Sequence, residues 1–120
     1  MPDTGLQERI FLWVCSLVNH ARGFPKDYAS RVIAQQLIRC GTSVGANYVE
    51  AQGGSSKRDF VNFLRYALKS ARESDYWLKL TEAVIPNINK KLTHPLRGEL
   101  DELTRILVKI IVSTQGKRAN

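Results

Sequence analysis

Side chains that could perform covalent chemistry are few in this chain of 120 residues. Nucleophilic hydrolysis needs a serine or cysteine, a histidine that acts as its base, and a third group that orients the histidine. The histidines are His20, at the end of one helical pattern, and His94, in a connection between two others. We interpret both as solvated residues at helix ends. The sequence therefore predicts no catalytic residue and no enzyme.

Metal and phosphate sites are also not indicated. A di-metal site in a helical bundle requires inward-facing glutamates and histidines that follow a glutamate by three positions. Neither histidine has a glutamate at that spacing. The run Gly41–Gly45 has two glycines but lacks the lysine and the preceding strand of a phosphate-binding loop. The sequence therefore predicts no metal and no cofactor.

Positive charge is the most regular chemical feature. In the third helical pattern cations recur every seven residues, with one more beside the line, and we call these five residues the basic stripe: Arg58, Arg65, Lys69, Arg72 and Lys79. Helical geometry places side chains at this spacing on one side of a helix. Such a stripe could follow a phosphate backbone and release counterions at each contact. Lys117 and Arg118 are two further candidates for phosphate contacts.

A second interpretation of the basic stripe stays open, in which it is a solvated surface that pairs with its own acidic neighbours. Opposite charges stand at helical spacing in three pairs, which are Lys69 with Glu73, Arg72 with Asp75, and Lys79 with Asp75. Pairs of this kind would neutralise the stripe and leave it without a ligand.

Overall charge agrees with an anionic partner. Lys and Arg total 18 against 11 Asp and Glu, and the net charge of +7 attracts phosphate backbones or anionic surfaces. The longest uncharged apolar run, residues 10–18, is about half of the roughly 20 residues that cross a bilayer as a helix. No stretch resembles a secretory signal. We therefore expect a cytoplasmic protein that does not enter a membrane.

The first helical pattern, which ends near Ala21, is apolar nearly all round. A surface helix of a monomer would have a polar back, so a second subunit is expected to cover this one. The residues predicted to lie in that subunit interface are Phe11, Leu12 and Cys15. Cys15 and Cys40 are both expected to be buried free thiols rather than a disulfide.

The second pattern, residues 26–51, carries Gly41 and Gly45 in its middle, where each glycine costs about 1 kcal/mol relative to alanine. Either a neighbouring helix approaches this face closely or the helix breaks near Gly41. Polar side chains on the same pattern are expected to bond one another or backbone carbonyls; they are Gln36, Ser43 and Asn47. The small residues of the third pattern that would receive the glycine face are Ala67, Ala71 and Ser74.

The remaining patterns complete the fold. The third runs over residues 57–84, and the fourth is expected to begin with Thr93 as its cap and Pro95 in its first turn. Residues 113–120 lose periodicity and are interpreted as a frayed basic tail. Four helices with short connections predict one all-α domain over residues 1–120, packed as an antiparallel up-and-down four-helix bundle.

Three runs carry a family resemblance: Gly41–Ala51, Ser56–Phe60 and Ala67–Leu78. They closely resemble the 23S rRNA intervening-sequence proteins, bacterial four-helix bundles also called S23 ribosomal proteins. The resemblance implies cytoplasmic proteins, often assembled as five-subunit rings, with no established catalytic residue. A related branch, the accessory variability determinant proteins of diversity-generating retroelements, is similar in fold and implies a basic ring surface that binds nucleic acid and a reverse transcriptase.

Together, residues and resemblance predict a non-enzymatic homo-oligomer that binds RNA or DNA through basic surfaces. The assignment of phosphate contacts to the basic stripe is an inference from charge and not from the family. The alternative is a protein-interaction scaffold, such as an accessory subunit for a reverse transcriptase, with no direct role in nucleic-acid binding.

Overall fold

The computed structural model describes the backbone of residues 5–119 and the side chains of residues 5–116. Four helices make up most of this part of the chain: α1 Leu6–Arg22, α2 Tyr28–Gln52, α3 Lys57–Val84 and α4 Lys90–Ala119. Each helix packs against the next, and α1 also packs against α4. No strand occurs in the described backbone. The predicted all-α four-helix bundle is confirmed.

Short polar caps begin α2 and α3. The carboxylate of Asp27 accepts hydrogen bonds from the Ser30 amide at 3.0 Å and the Ser30 hydroxyl at 2.9 Å, which lowers the pKa of Asp27. The Ser56 hydroxyl accepts a bond from the Asp59 amide at 3.1 Å. Each cap satisfies an amide that the first turn of a helix leaves without a backbone partner. Helix α3 has the bounds that the sequence predicted.

Helix α2 continues through both glycines, so the predicted alternative of a break near Gly41 is wrong. A Cβ atom at Gly41 would lie 2.7 Å from Cδ2 of Leu17, and one at Gly45 would lie 3.4 Å from Cγ2 of Val14. Both neighbours belong to α1. The glycines therefore permit α1, and not α3, to approach α2 closely.

The small residues of α3 pack on a different side of α2 from the glycines. Ala67, Ala71 and Ser74 are fully buried, and the Ser74 hydroxyl lies 3.2 Å from the Cys40 sulfur. Cys40 precedes Gly41 by one position, which is about 100° around a helix. The expectation that these small residues receive the glycine face was wrong, because the two faces of α2 meet two different helices.

The start of α4 differs from the prediction. The helix begins at Lys90, where the side-chain oxygen of Asn89 accepts a hydrogen bond from the Lys91 amide at 3.0 Å. Thr93 is not the cap because Asn89 already supplies the capping oxygen. Pro95 lies inside the helix, where it has no amide to donate to the preceding turn.

The end of α4 also differs from the prediction. The helix continues to Ala119, whereas residues 113–120 were expected to fray. The hydroxyl of Thr114 bonds the carbonyl of Ile110 at 2.8 Å in the first turn of this stretch. No proline interrupts the stretch, and extension of a formed helix costs little once its first turns exist. Position 120 lies outside the described residues.

His20 is buried, and its predicted role as a solvated helix-end residue was wrong. Its side chain is covered by α4, where Nε2 lies 2.7 Å from Oγ1 of Thr93, and by the ring of Phe24 at 5.1 Å. Burial lowers the pKa of His20. His94 is exposed as expected, although it lies within α4 and pairs with Glu82 at 3.2 Å.

Helix α1 is tied to α4 by polar contacts. The Trp13 indole donates to the Leu96 carbonyl at 2.9 Å, and the Arg9 guanidinium bonds both oxygens of Glu99 at 2.7 Å and one of Glu102 at 2.8 Å. These bonds hold the shortest helix against the longest one. None of the helices in the described range has the length and apolarity needed to cross a membrane.

Candidate nucleic-acid interface

All five residues of the basic stripe are exposed on α3. A neighbouring side of this helix, about 100° away, is fixed in the core by fully buried residues, which include Leu64, Ala71 and Leu78. A long helix anchored in this way holds its outer side chains at a constant rise of about 1.5 Å per residue. The structure therefore brings the predicted cations together on one solvent-facing surface.

The acidic neighbours of the basic stripe do not pair with it. Glu73 accepts hydrogen bonds from Arg39 of α2 and from the indole of Trp77. Among the residues whose side chains are described, no ion pair involves a cation of the basic stripe. None of the three ion pairs that the sequence suggested within α3 is formed.

Arg97 of α4 neutralises the acids on the other edge of the basic stripe. Its Nε donates to Asp75 at 3.0 Å and its Nη1 donates to Glu82 at 2.9 Å. These bonds raise the pKa of Arg97, Asp75 contributing most. Arginines from α2 and α4 thus occupy the carboxylates that could have cancelled the charge of α3. The basic stripe therefore keeps its positive charge unneutralised by these carboxylates.

A groove borders the basic stripe on its α4 side. It has a volume of about 440 Å³, and Arg65, Lys69 and Arg72 form one of its edges. Its apolar lining comes from Leu68, Val108, Ile111 and Val112. A strand of phosphates on the cations would therefore run alongside apolar surface.

Two exposed tyrosines lie on or near the basic stripe, and neither was among the residues predicted to bind phosphate. Tyr66 and Tyr76 are 55% and 58% exposed. Each ring meets a half-buried aromatic neighbour edge to face, Phe63 at 5.9 Å and Trp77 at 5.2 Å. For Tyr76 a sequence signal was available, since it follows Arg58 by 18 positions and five turns of about 3.6 residues bring it to the same side.

The two C-terminal candidates are not placed. The backbone of Lys117 and Arg118 belongs to the last turns of α4, and their side chains lie outside the described residues.

The residues predicted to form a subunit interface are exposed on α1. Phe11 and Leu12 are 59% and 56% exposed, and Cys15 is an exposed free thiol. The expectation that Cys15 is buried was wrong for the single chain, whereas Cys40 is buried as expected. Phe11 lies at a groove between α1 and α2, and Leu12 lies at another between α1 and α4.

Ser43 and Asn47 of α2 bond backbone carbonyls, as predicted, whereas Gln36 bonds the side chain of Arg39. Asn47 donates to the Ser43 carbonyl at 2.9 Å, and the Ser43 hydroxyl donates to the Arg39 carbonyl at 2.9 Å. Gln36 accepts from the Arg39 guanidinium at 3.0 Å. Within the described range, no group of three or more histidine, cysteine or carboxylate side chains could hold a metal ion.

Comparisons with known proteins agree on one family. Residues 7–109 match the family model described as 23S rRNA-intervening sequence protein. A crystal structure from Bacteroides thetaiotaomicron, of a protein with unknown function from the S23 ribosomal protein family, superposes with a TM-score of 0.81. It is 30% identical in sequence, and the alignment covers 88% of this chain and 97% of that one. No curated protein matches the chain.

Proposed function

The chain belongs to the 23S rRNA-intervening sequence protein family, and from this premise we propose that it is a non-enzymatic, homo-oligomeric protein that binds RNA or DNA through the basic stripe. The observation that best supports the proposal is the unpaired charge of α3. Five exposed cations share one side of one helix, while the nearby carboxylates are bonded to Arg39 and Arg97. Such a surface contacts phosphates without reading base sequence.

Salt dependence gives the proposal a quantitative form. Each phosphate contact contributes about 0.7 to 0.9 to the slope of log K against log salt, depending on whether the nucleic acid is single- or double-stranded. Five contacts from one subunit would give a slope of about −3.5 to −4.5. Lys117 and Arg118 would steepen it if their side chains reach the same strand.

Exposed apolar residues on α1 support the homo-oligomeric part of the proposal. Phe11 and Leu12 are large side chains left open to water in the single chain, and burial of each in a subunit interface would be favourable by about 1.5–3 kcal/mol. A five-subunit ring, which the family resemblance implies, would repeat the basic stripe five times. We propose that this assembly works in the cytoplasm.

The same apolar residues favour a second candidate function. A scaffold that docks another polypeptide, for example a reverse transcriptase, would also cover Phe11 and Leu12. Its complex would survive nuclease treatment, whereas association through nucleic acid would not. The scaffold therefore predicts a partner that is retained after digestion and a basic stripe whose charge is incidental.

Charge reversal tests the proposal directly. The variant Arg65→Glu/Arg72→Glu removes two phosphate contacts, and we expect the salt slope to fall in magnitude by about 1.4–1.8 and the affinity to drop more than tenfold. The matched control is Arg22→Glu/Arg31→Glu, which changes the net charge equally at exposed positions on α1 and α2. Fluorescence anisotropy with labelled RNA and DNA at several salt concentrations measures both quantities. Equal losses in the two variants would contradict a role for the basic stripe.

A further inference from the structure

Tyr76 lies within the basic stripe and not beside it. It follows Arg72 by four positions and precedes Lys79 by three, so both cations are one helical turn away on the same side of α3. More than half of its surface is open to water, at 58%. Tyr76 therefore places an exposed aromatic ring between two cations, and attraction of phosphates alone does not require such a ring.

The second exposed tyrosine of α3, Tyr66, lies at the edge of the basic stripe and not within it. It precedes Lys69 by three positions, follows Arg65 directly, and is 55% exposed. Ten residues separate the two tyrosines, which corresponds to about 15 Å along the helix axis. Ten residues also turn the helix by about 80°, so a strand that contacts both rings would cross α3 obliquely, past Lys69.

Neighbouring side chains restrain both rings. Tyr66 meets Phe63 at an interplanar angle of 77°, and Tyr76 meets Trp77 at 79°. The Trp77 indole is itself held by a hydrogen bond to Glu73 at 3.2 Å. A ring that is already oriented loses less conformational entropy when a ligand stacks on it.

Alternation of aromatic rings and cations matches the chemistry of an unpaired strand. Bases with a free face stack on aromatic side chains while the phosphates bind cations, and this combination tolerates any sequence. In a duplex the bases already stack on one another, so a straight helix lying on its surface meets phosphate and sugar but no open base face. Tyrosines would therefore add affinity for single strands and little for duplexes.

The length of the surface suits a short strand. Arg58 and Lys79 are 21 positions apart, about 32 Å along α3. At the 3.4 Å per nucleotide of a stacked strand, about nine nucleotides would cover this length, and fewer would cover it if the strand were extended.

We propose that the basic stripe binds single-stranded nucleic acid, with bases stacked on Tyr66 and Tyr76 and phosphates on the intervening cations. This inference rests on the proposed function and narrows it, since phosphate contacts alone would not discriminate single strands from duplexes in this way. It also assigns a role to two residues that charge alone does not explain.

The test compares labelled 12-nucleotide single strands, as RNA and as DNA, with blunt duplexes of the same length by fluorescence anisotropy. The variants are Tyr66→Ala and Tyr76→Ala, with Tyr76→Phe to keep the ring and Tyr28→Ala as a control at an exposed tyrosine of α2. All three substituted positions carry exposed side chains, and circular dichroism verifies the fold.

We expect each alanine variant to lose about 5- to 150-fold in affinity for single strands, the range measured for loss of one stacked base. The salt slope should stay unchanged because no phosphate contact is removed. Tyr76→Phe and Tyr28→Ala should bind like the unmodified protein, and duplex affinity should change little in every variant.

Two outcomes would overturn the inference, and they differ in what they say of the proposed function. If duplexes bind as tightly as single strands and the alanine variants lose nothing, stacking is absent, while loss of binding in Arg65→Glu/Arg72→Glu would still support phosphate contacts. If neither strands nor duplexes bind at low salt, the proposed function fails together with the inference.

Discussion

Replacement of Gly41 by alanine tests the close approach of α1 to α2. In an exposed helix interior this change stabilises a protein by about 1 kcal/mol, because glycine loses more backbone freedom on folding than alanine does. At Gly41 the new Cβ would lie 2.7 Å and 2.9 Å from the two Cδ atoms of Leu17. Leu17 is fully buried, so its methyl groups cannot move away without displacing their own neighbours in the core.

The two opposing contributions to the stability of Gly41→Ala can be compared. Overpacking of a core costs about 1–3 kcal/mol, which exceeds the helical gain of about 1 kcal/mol. We therefore expect Gly41→Ala to lower the free energy of unfolding by about 1 kcal/mol. Gly98→Ala is the matched control in α4, where a Cβ meets nothing within 4 Å, and we expect it to raise the free energy of unfolding by about 1 kcal/mol.

Urea denaturation followed by far-ultraviolet circular dichroism measures both changes. Protein concentration is held constant because stability depends on concentration when chains self-associate. Gly45→Ala, whose Cβ would lie 3.4 Å from Val14, should fall between the other two variants. If Gly41→Ala proved as stabilising as Gly98→Ala, α1 could not approach α2 as closely as the packing requires.

Three further predictions concern buried and paired groups. Burial lowers the pKa of His20, so the folded state resists its protonation. We therefore expect the free energy of unfolding to fall as pH drops below about 6.5. In urea titrations, His20→Gln should lose less of this free energy between pH 7.5 and pH 5 than the unmodified protein does. A thiol reagent should modify Cys15 but not the buried Cys40 until urea is added, and Cys15 should react more slowly as protein concentration rises if it lies in a subunit interface. Arg97→Ala leaves the 12%-exposed Glu82 side chain without its arginine partner. We expect the free energy of unfolding to fall by about 1–2 kcal/mol and RNA binding to weaken. Unchanged unfolding curves and unchanged RNA affinity would contradict this prediction.

Local signals in the sequence were sufficient for most of the helices. The start of α3 follows from the turn before it and the Ser56 cap, both of which act within a few residues. The start of α4 did not follow from local signals. Asn89 and Thr93 are both capping residue types, and Thr93 instead lies in the helix and the core, where it contacts His20, 73 positions away.

The rotation of α2 about its own axis could not be predicted from the sequence either. Gly41 and Gly45 mark a close approach, but whether α1 or α3 makes it depends on how α2 is turned in the bundle, which is set by packing as a whole.

For the candidate site, the cations could be predicted from the sequence, but whether they form ion pairs could not. Spacing alone places the basic stripe on one side of α3. Whether the stripe is self-paired depends on Glu73 and Asp75, whose partners Arg39 and Arg97 come from other helices. Only tertiary structure decides between the two interpretations, because pairs within the helix and pairs between helices are both compatible with the same spacing.

The most direct test of the central claim, a homo-oligomer that binds nucleic acid through the basic stripe, is size-exclusion chromatography coupled to light scattering. The protein is run alone and with a structured RNA that has single-stranded loops, at low and moderate salt, beside Arg65→Glu/Arg72→Glu. We expect a particle of several subunits that takes up RNA at low salt and releases it at moderate salt, and a variant that keeps its subunit number but takes up no RNA. A monomer, or an oligomer that ignores RNA at low salt, would contradict the claim.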